Sequence, residues 1–253
     1  MKKVLIASAL LISPLASAKT LTVAVIDTGV DGTLPHLCKM GHRSFLTYGK
    51  NSKGKPISGD PLIDMHGHGT HVAGLINQNA GNTDYCIVSI QYYSDANSGR
   101  QNLKNMIAAL RHAIDIKVDY INISGGGPEP QPDEKALIEE ALKNGIKLVL
   151  AAGNGDDRSV GIDLSKNCTY FPACYDQRIV VVGNLKKALP TSYVPTENQR
   201  SPSSNYGTRV NRWEVGTDCT SNLPNGKTGQ MSGTSQATAV ATGKLIKEQL
   251  SKQ

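Results

Sequence analysis

Thr20-Leu21-Thr22-Val23-Ala24-Val25-Ile26, followed at once by Asp27-Thr28-Gly29, decides how the chain folds. The run is largely apolar on both alternating faces, which is the pattern of a strand buried inside a parallel sheet. Working outward, residues 86–92 (CIVSIQY) offer a second β-rich run, and Leu103, Met106, Ile107, Leu110, Ala113 and Ile114 then recur at helical spacing. Residues 118–124 read as a strand running into Gly125-Gly126-Gly127-Pro128. Asp133 is placed to cap a helix carrying Leu137, Ile138, Ala141 and Leu142, with Gly145 as its stop. Residues 147–152 (KLVLAA) form the next strand and end in Gly153-Asn154-Gly155; residues 178–182 form another, and residues 234–250 a last helix. Strands alternating with helices predict an α/β domain of three layers, a mostly parallel sheet with helices on both faces.

The composition agrees with one such domain. Of 253 residues, 39% are hydrophobic, which excludes a disordered chain, and beyond the N-terminus no apolar run nears the ~18 residues of a membrane span. Residues 1–18 form a separate unit: Lys2 and Lys3 supply a positive start, residues 4–12 a short apolar stretch, and Ala16-Ser17-Ala18 a small-residue cleavage signal. We read them as a signal peptide, with residues 19–253 as the exported domain, extracellular or periplasmic and free of the membrane after cleavage. Loss of the two lysines takes the formal charge from +6 to +4. No basic run or aromatic-basic stripe points to nucleic acid, so the surplus serves solvation.

Asp27, Ser124 and Asn154 each stand where a predicted strand runs out, beside glycine or one residue from it. Ligands of open α/β sheets bind outside the carboxyl ends of the strands, so three polar residues there suggest one shared site. The same residue types also favour ordinary turns. Three stretches decide between these readings: Val25-Ile26-Asp27-Thr28-Gly29, His68-Gly69-Thr70-His71-Val72-Ala73-Gly74 and Ser232-Gly233-Thr234-Ser235-Gln236-Ala237. They resemble the Asp, His and Ser segments of the subtilisin-like serine proteases, in that family's order. Ala151-Ala152-Gly153-Asn154-Gly155 is similar to the family's oxyanion segment, and Ile121-Asn122-Ile123-Ser124-Gly125-Gly126 to its substrate-binding strand. The resemblance extends over residues 20–245, nearly the whole mature chain.

What the resemblance implies is a serine endopeptidase that needs no cofactor and acts as a monomer on a protein or peptide substrate. Ser235 would be the nucleophile, His68 its general base, and Asp27 the group that holds the imidazole's tautomer. Asn154 would donate to the oxyanion, and Ser124, Gly125, Gly126, Ala152 and Gly153 would line the bound substrate. A catalytically idle peptide-binding relative and an esterase remain alternatives, the first disfavoured because a binding module needs none of the four catalytic residues. Taken alone, Asp64, His66, His68 and His71 also admit a metal site. The H-E-x-x-H spacing is missing, however, and no metal is assigned. His71 is expected to be structural, and His36, His42 and His112 to be ordinary surface or loop residues.

The chain departs from the family at several points. Only residues 75–85 separate the His71 motif from the next strand, too few for the family's calcium loop and poor in carboxylates. Gln236 and Ala239 replace the methionine and proline usual after the nucleophile, and no pro-domain separates residue 18 from the first strand. Gly125 stands where relatives often carry leucine, which predicts a wider subsite wall. Tyr170 is expected near the floor of the pocket for the residue before the cut, favouring small side chains there. The five cysteines contain no C-x-x-C pair. We expect Cys168–Cys174 across a short turn and Cys38–Cys86 between neighbouring strands, leaving Cys219 free.

Overall fold

Leu21–Asp27 (β1) lies at the centre of the molecule because it has little to offer water: every residue but Thr22 is buried. The computed structural model describes residues 20–50, 52–155, 159–188 and 194–252. The segment read as a signal peptide lies outside them. After β1 come the short strands Arg43–Ser44 (β2), Thr47–Lys50 (β3) and Pro56–Ser58 (β4), then helix His68–Ala80 (α1) and strand Tyr85–Gln91 (β5). Gly99–Asp115 (α2), Tyr120–Ile123 (β6), Pro132–Lys143 (α3), Lys147–Ala151 (β7) and Val180–Leu185 (β8) follow in alternation. Arg212–Val215 (β9), the hairpin Cys219–Leu223 (β10) and Lys227–Met231 (β11), and helix Thr234–Leu250 (α4) complete the chain.

Seven strands form the main sheet in the order β2-β5-β1-β6-β7-β8-β9, every neighbouring pair parallel. The alternation of β1 splits the core. Ala24 and Ile26 pack with Met106 and Leu110 of α2 and Ile138 of α3, while Val23 and Val25 pack with Val72 and Ile76 of α1 and Ala241 and Ile246 of α4. This is the expected three-layer α/β fold. Each fully buried Val or Ile contributes about 1.5–3 kcal/mol.

Helix α4 is buried along its first ten residues, which explains their small size. Thr238 donates to the Thr234 carbonyl (2.7 Å) and Thr242 to the Thr238 carbonyl (2.9 Å) and Asn122 Oδ1 (2.8 Å), so no buried hydroxyl among them is wasted. A β-carbon on Gly243 would stand 2.6 Å from the Ile76 carbonyl oxygen; glycine lets α4 cross α1 at backbone distance.

Three local expectations need correction. Asp133 does not cap α3: the N-cap is Gln131, and Pro132 opens the helix because its missing N–H is one the first turn leaves unbonded anyway. The strand expected from residue 178 begins at Val180, since Arg178 is held in a turn by Asp176, whose carboxylate accepts from the Arg178 backbone N–H (2.8 Å). His42 and His112 are not ordinary loop residues. His42 bonds the Cys38 carbonyl through Nε2 (2.7 Å) and accepts the Ser89 N–H at Nδ1 (2.9 Å), and His112 Nε2 bonds the Gly41 carbonyl (2.8 Å). Cys38 is bonded to Cys86, and Cys168 to Cys174, with Cα separations of 4.9 and 5.6 Å; Cys219 is free.

Candidate active site

Strands β1, β6 and β7 lie side by side and point the same way, so their carboxyl ends bring Asp27, Ser124 and Asn154 to one edge of the sheet. Helix α1 begins at His68 and α4 begins one residue before Ser235, and both face that edge. Asp27 Oδ1 accepts from His68 Nδ1 at 2.8 Å and from the Thr28 N–H at 2.7 Å. Donation from Nδ1 fixes the tautomer and leaves Nε2 as the ring's free base. The negative charge of Asp27 raises the His68 pKa above its ordinary value; burial opposes that shift, and the hydrogen bond to Asp27 and the charge of Asp64 reinforce it.

The start of α1 is positioned by Asp64, which the sequence alone offers only as part of a metal-site reading. Asp64 is buried, and its Oδ1 accepts from Thr28 Oγ1 (2.9 Å) and from the backbone N–H groups of His66 (3.1 Å) and Gly67 (2.8 Å). Its Oδ2 accepts from the N–H (2.9 Å) and hydroxyl (2.6 Å) of Thr70. Of these five donors, the Thr70 N–H is one of the groups the helix start leaves unbonded, and the other four tie the preceding turn and Thr28 to the same carboxylate. Thr28 Oγ1 in turn accepts the Gly69 N–H (2.9 Å). A β-carbon on Gly69 would lie 2.0 Å from the Gly29 carbonyl oxygen, so only glycine lets α1 approach the end of β1 this closely. His71 is buried, its Nε2 bonding the carbonyls of Cys219 (3.0 Å) and Gly229 (3.2 Å), and burial lowers its pKa.

On the other side of the cleft Asn154 is exposed. Its Oδ1 accepts from the N–H (2.9 Å) and hydroxyl (3.0 Å) of Thr234. Both partners are donors, so the amide is oriented with its NH2 toward the cleft. Ser235 lies in the first turn of α4, where its backbone N–H has no partner among the described residues. Its hydroxyl donates to the Ser124 carbonyl at 3.1 Å and makes no hydrogen bond with His68.

Asn205, which no sequence motif marked, frames this side. Its Nδ2 donates to the Ala152 carbonyl (2.7 Å) and its N–H to the Gly153 carbonyl (3.0 Å). Its Oδ1 accepts from the N–H groups of Gly155 (3.1 Å) and Ile162 (2.8 Å). With its N–H bonded to the Val182 carbonyl as well, buried Ala152 has no polar group left for a substrate. Gly127 exchanges both backbone hydrogen bonds with Phe171, at 2.9 and 2.8 Å. Gly126, one residue earlier on the alternating edge, has no backbone partner among the described residues. The wider subsite expected at Gly125 is not there: a β-carbon on it would lie 2.3 Å from Tyr92 Oη, so the tyrosine fills the space. A cavity of about 230 Å³ opens in front of Asp27, His66, His68, Tyr93 and Ser124.

The description of a family model, the subtilase family, matches residues 18–249. The chain belongs to the subtilase family. The chain is 32% identical over 240 residues to the major intracellular serine protease of Bacillus subtilis (strain 168), covering 90% of this chain and 67% of that protein. It is 33% identical over 237 residues to an intracellular serine protease of Paenibacillus polymyxa, covering 88% and 64%. The chain thus spans about two thirds of the length of these curated relatives. Among solved structures, a cold-adapted subtilisin-like serine proteinase superposes with a TM-score of 0.63 at 27% identity, covering 88% of this chain and 72% of that one. In this subtilase Asp27, His68 and Ser124 line one cavity, Ser235 is tied to it through the Ser124 carbonyl, Asn154 is held by the neighbouring Thr234, and Ala152 is fully buried.

Proposed function

We propose that this subtilase hydrolyses peptide bonds through an acyl-enzyme on Ser235. The observation that carries the proposal is the 2.8 Å bond from His68 Nδ1 to Asp27, which leaves Nε2 basic and on the cleft side. His68 takes the Ser235 proton as Oγ attacks the scissile carbonyl, and the imidazolium so formed is stabilised by Asp27. The oxyanion is received by Asn154 Nδ2 and the Ser235 N–H, helped by the positive end of α4. His68 then passes its proton to the leaving amine, and water repeats the sequence to release the acyl group. Before attack the hydroxyl must exchange its bond to the Ser124 carbonyl for one to Nε2. The substrate lies extended along residues 124–126, where the free backbone of Gly126 invites strand addition.

An idle, peptide-binding relative would rest on the present bond of Ser235 to Ser124. Casein digestion separates the readings: the wild-type protein releases soluble peptides and Ser235→Ala releases none, whereas an idle relative or a pure esterase releases none in either form. We further propose that the protein is exported. The charge, apolar run and Ala16-Ser17-Ala18 of the N-terminus support this, as do two disulfides, a bond type that persists in oxidising compartments. Among the described residues no helix is long and apolar enough to cross a membrane. N-terminal sequencing of the mature protein tests export, with Lys19 as the expected first residue.

A further inference from the structure

The positive charge of the chain is not spread evenly over it. Residues 32–59 hold five basic side chains, Lys39, Arg43, Lys50, Lys53 and Lys55, and no acid, so this stretch carries +5 where residues 19–253 together carry +4. All five are exposed. The exposed apolar side chains gather in the same region. Of the nine large ones among the described residues, Tyr48, Ile57, Ile63 and Met65, at 44–82% exposure, fall within residues 48–65. Solvation accounts for lysines at a surface but not for apolar groups left in water among them, and such a patch marks contact with another molecule.

Tyr48 and Ile57 stand on the hairpin β3–β4, which pairs with no other described strand. Its foot is fixed to the main sheet. The Gly59 N–H donates to the Leu46 carbonyl (2.9 Å), and a β-carbon on Gly59 would lie 2.8 Å from Gln91 Oε1 and 3.0 Å from Tyr48 Cε2. Gln91 is the register partner of Asp27, and its Nε2 donates to the carbonyls of Thr28 (2.8 Å) and Ile63 (3.2 Å). The hairpin therefore rises beside the Asp27–His68 pair, and Ile63 and Met65 lie on the connection that leads from it to His68. The patch is continuous with the cleft on this flank, whereas residues 124–126 follow β6 on the other side of β1.

We propose that the hairpin β3–β4 and the turn of residues 63–65 form a docking surface for the leaving half of a protein substrate, taking a segment that mixes acidic and apolar residues. This rests on the peptide-hydrolase reading above. His68 returns its proton to the leaving amine, so the leaving half starts at the flank on which the patch stands. The lysines attract an acidic segment from a distance, and Tyr48, Ile57 and Met65 give it apolar contact. An anionic membrane offers the same chemistry, but a patch pressed onto a membrane would close the flank through which the leaving half departs.

The test uses peptides that are identical around the cut and end, on the leaving side, in a Glu/Leu, Glu/Ser, Gln/Leu or Lys/Leu block. They are given to the wild-type protein and to the triple variant Lys50→Gln, Lys53→Gln, Lys55→Gln. Three exposed ion pairs of ordinary strength combine to about tenfold, so wild-type kcat/KM should favour Glu/Leu over Gln/Leu by about that factor, with Lys/Leu lowest and Glu/Ser below Glu/Leu. The charge ranking should flatten in the triple variant, and also in about 1 M salt, where the screening length falls to about 3 Å. A chromogenic amide with no leaving peptide should be cleaved equally by both proteins. Equal wild-type cleavage of all four peptides overturns the proposal, as does a charge ranking that survives in the triple variant. Binding of the wild type to phosphatidylglycerol vesicles, lost in the triple variant and without any ranking of peptides, assigns the patch to a membrane and overturns it too. Fluorophosphonate labelling keeps the two claims apart. A labelled enzyme that ignores the leaving block refutes the docking surface alone, while an unlabelled wild type refutes the hydrolase reading and this inference with it.

Discussion

The two walls of the cleft are built on different physics. On the Asp27–His68 side the organising groups are carboxylates: Asp27 orients and charges the imidazole, and Asp64 gathers five donors beneath it. On the Asn154–Ser235 side they are neutral amides, with Asn205 holding residues 152–155 and Thr234 orienting Asn154. The first wall must respond to pH because its function is to move a proton. The second must only stay in place, since an oxyanion donor acts by being aimed before charge develops.

Among substitutions at Asp27, Asn154 and Asn205, removing the charge of the first wall is the most damaging. Asp27→Asn should lower kcat by about 10⁴, the loss known for related triads. It should also move the acidic limb of the kcat/KM profile. His68 works as a neutral base, so activity falls as pH drops through its pKa, which in the wild type stands above the ordinary value chiefly because of Asp27. Without that charge the pKa falls, and the limb shifts to lower pH. Asn154→Ala should cost about 10²–10³ in kcat, again the magnitude of related enzymes, with no shift of the limb. A limb that moves with Asn154 would erase the distinction between the walls.

Asn205→Ala should give the smallest effect, a fall in kcat of about tenfold through misplacement of Asn154. Loss of its buried hydrogen bonds should also lower stability by about 2–3 kcal/mol, read from urea unfolding. Here too the limb should stay where it is, because Asn205 touches no titrating group of the mechanism. An Asn205→Ala enzyme with wild-type kcat would show that Thr234 alone suffices to aim the oxyanion donor.

How much of this was readable from sequence follows the same division. Asp27, His68, Asn154 and Ser235 lie within short contiguous motifs at strand ends and helix starts, where local patterns are informative. The strand of residues 20–26 and the helix of residues 234–250 were legible because burial leaves them nearly unbroken apolar or small-residue runs. Asn205 was invisible: it lies 51 positions after Asn154, in a loop with no periodicity, and its role exists only once the fold brings it to Ala152 and Gly153. Tyr92 and Gly125 illustrate the reverse error. The missing side chain of Gly125 suggested space, but what fills it comes from another strand's end. The hairpin β10–β11 carried an Asn225-Gly226 signal at its turn, where both residues have positive φ, yet its strands are too polar to announce themselves by hydropathy.

The claim on which everything else depends is that Ser235 is an activated nucleophile. Treating the purified protein with a fluorophosphonate and mapping the adduct by mass spectrometry tests it directly. A single adduct on Ser235, absent in Ser235→Ala and strongly slowed in His68→Ala, is the predicted result; an unmodified protein, or an adduct on any other serine, would contradict it.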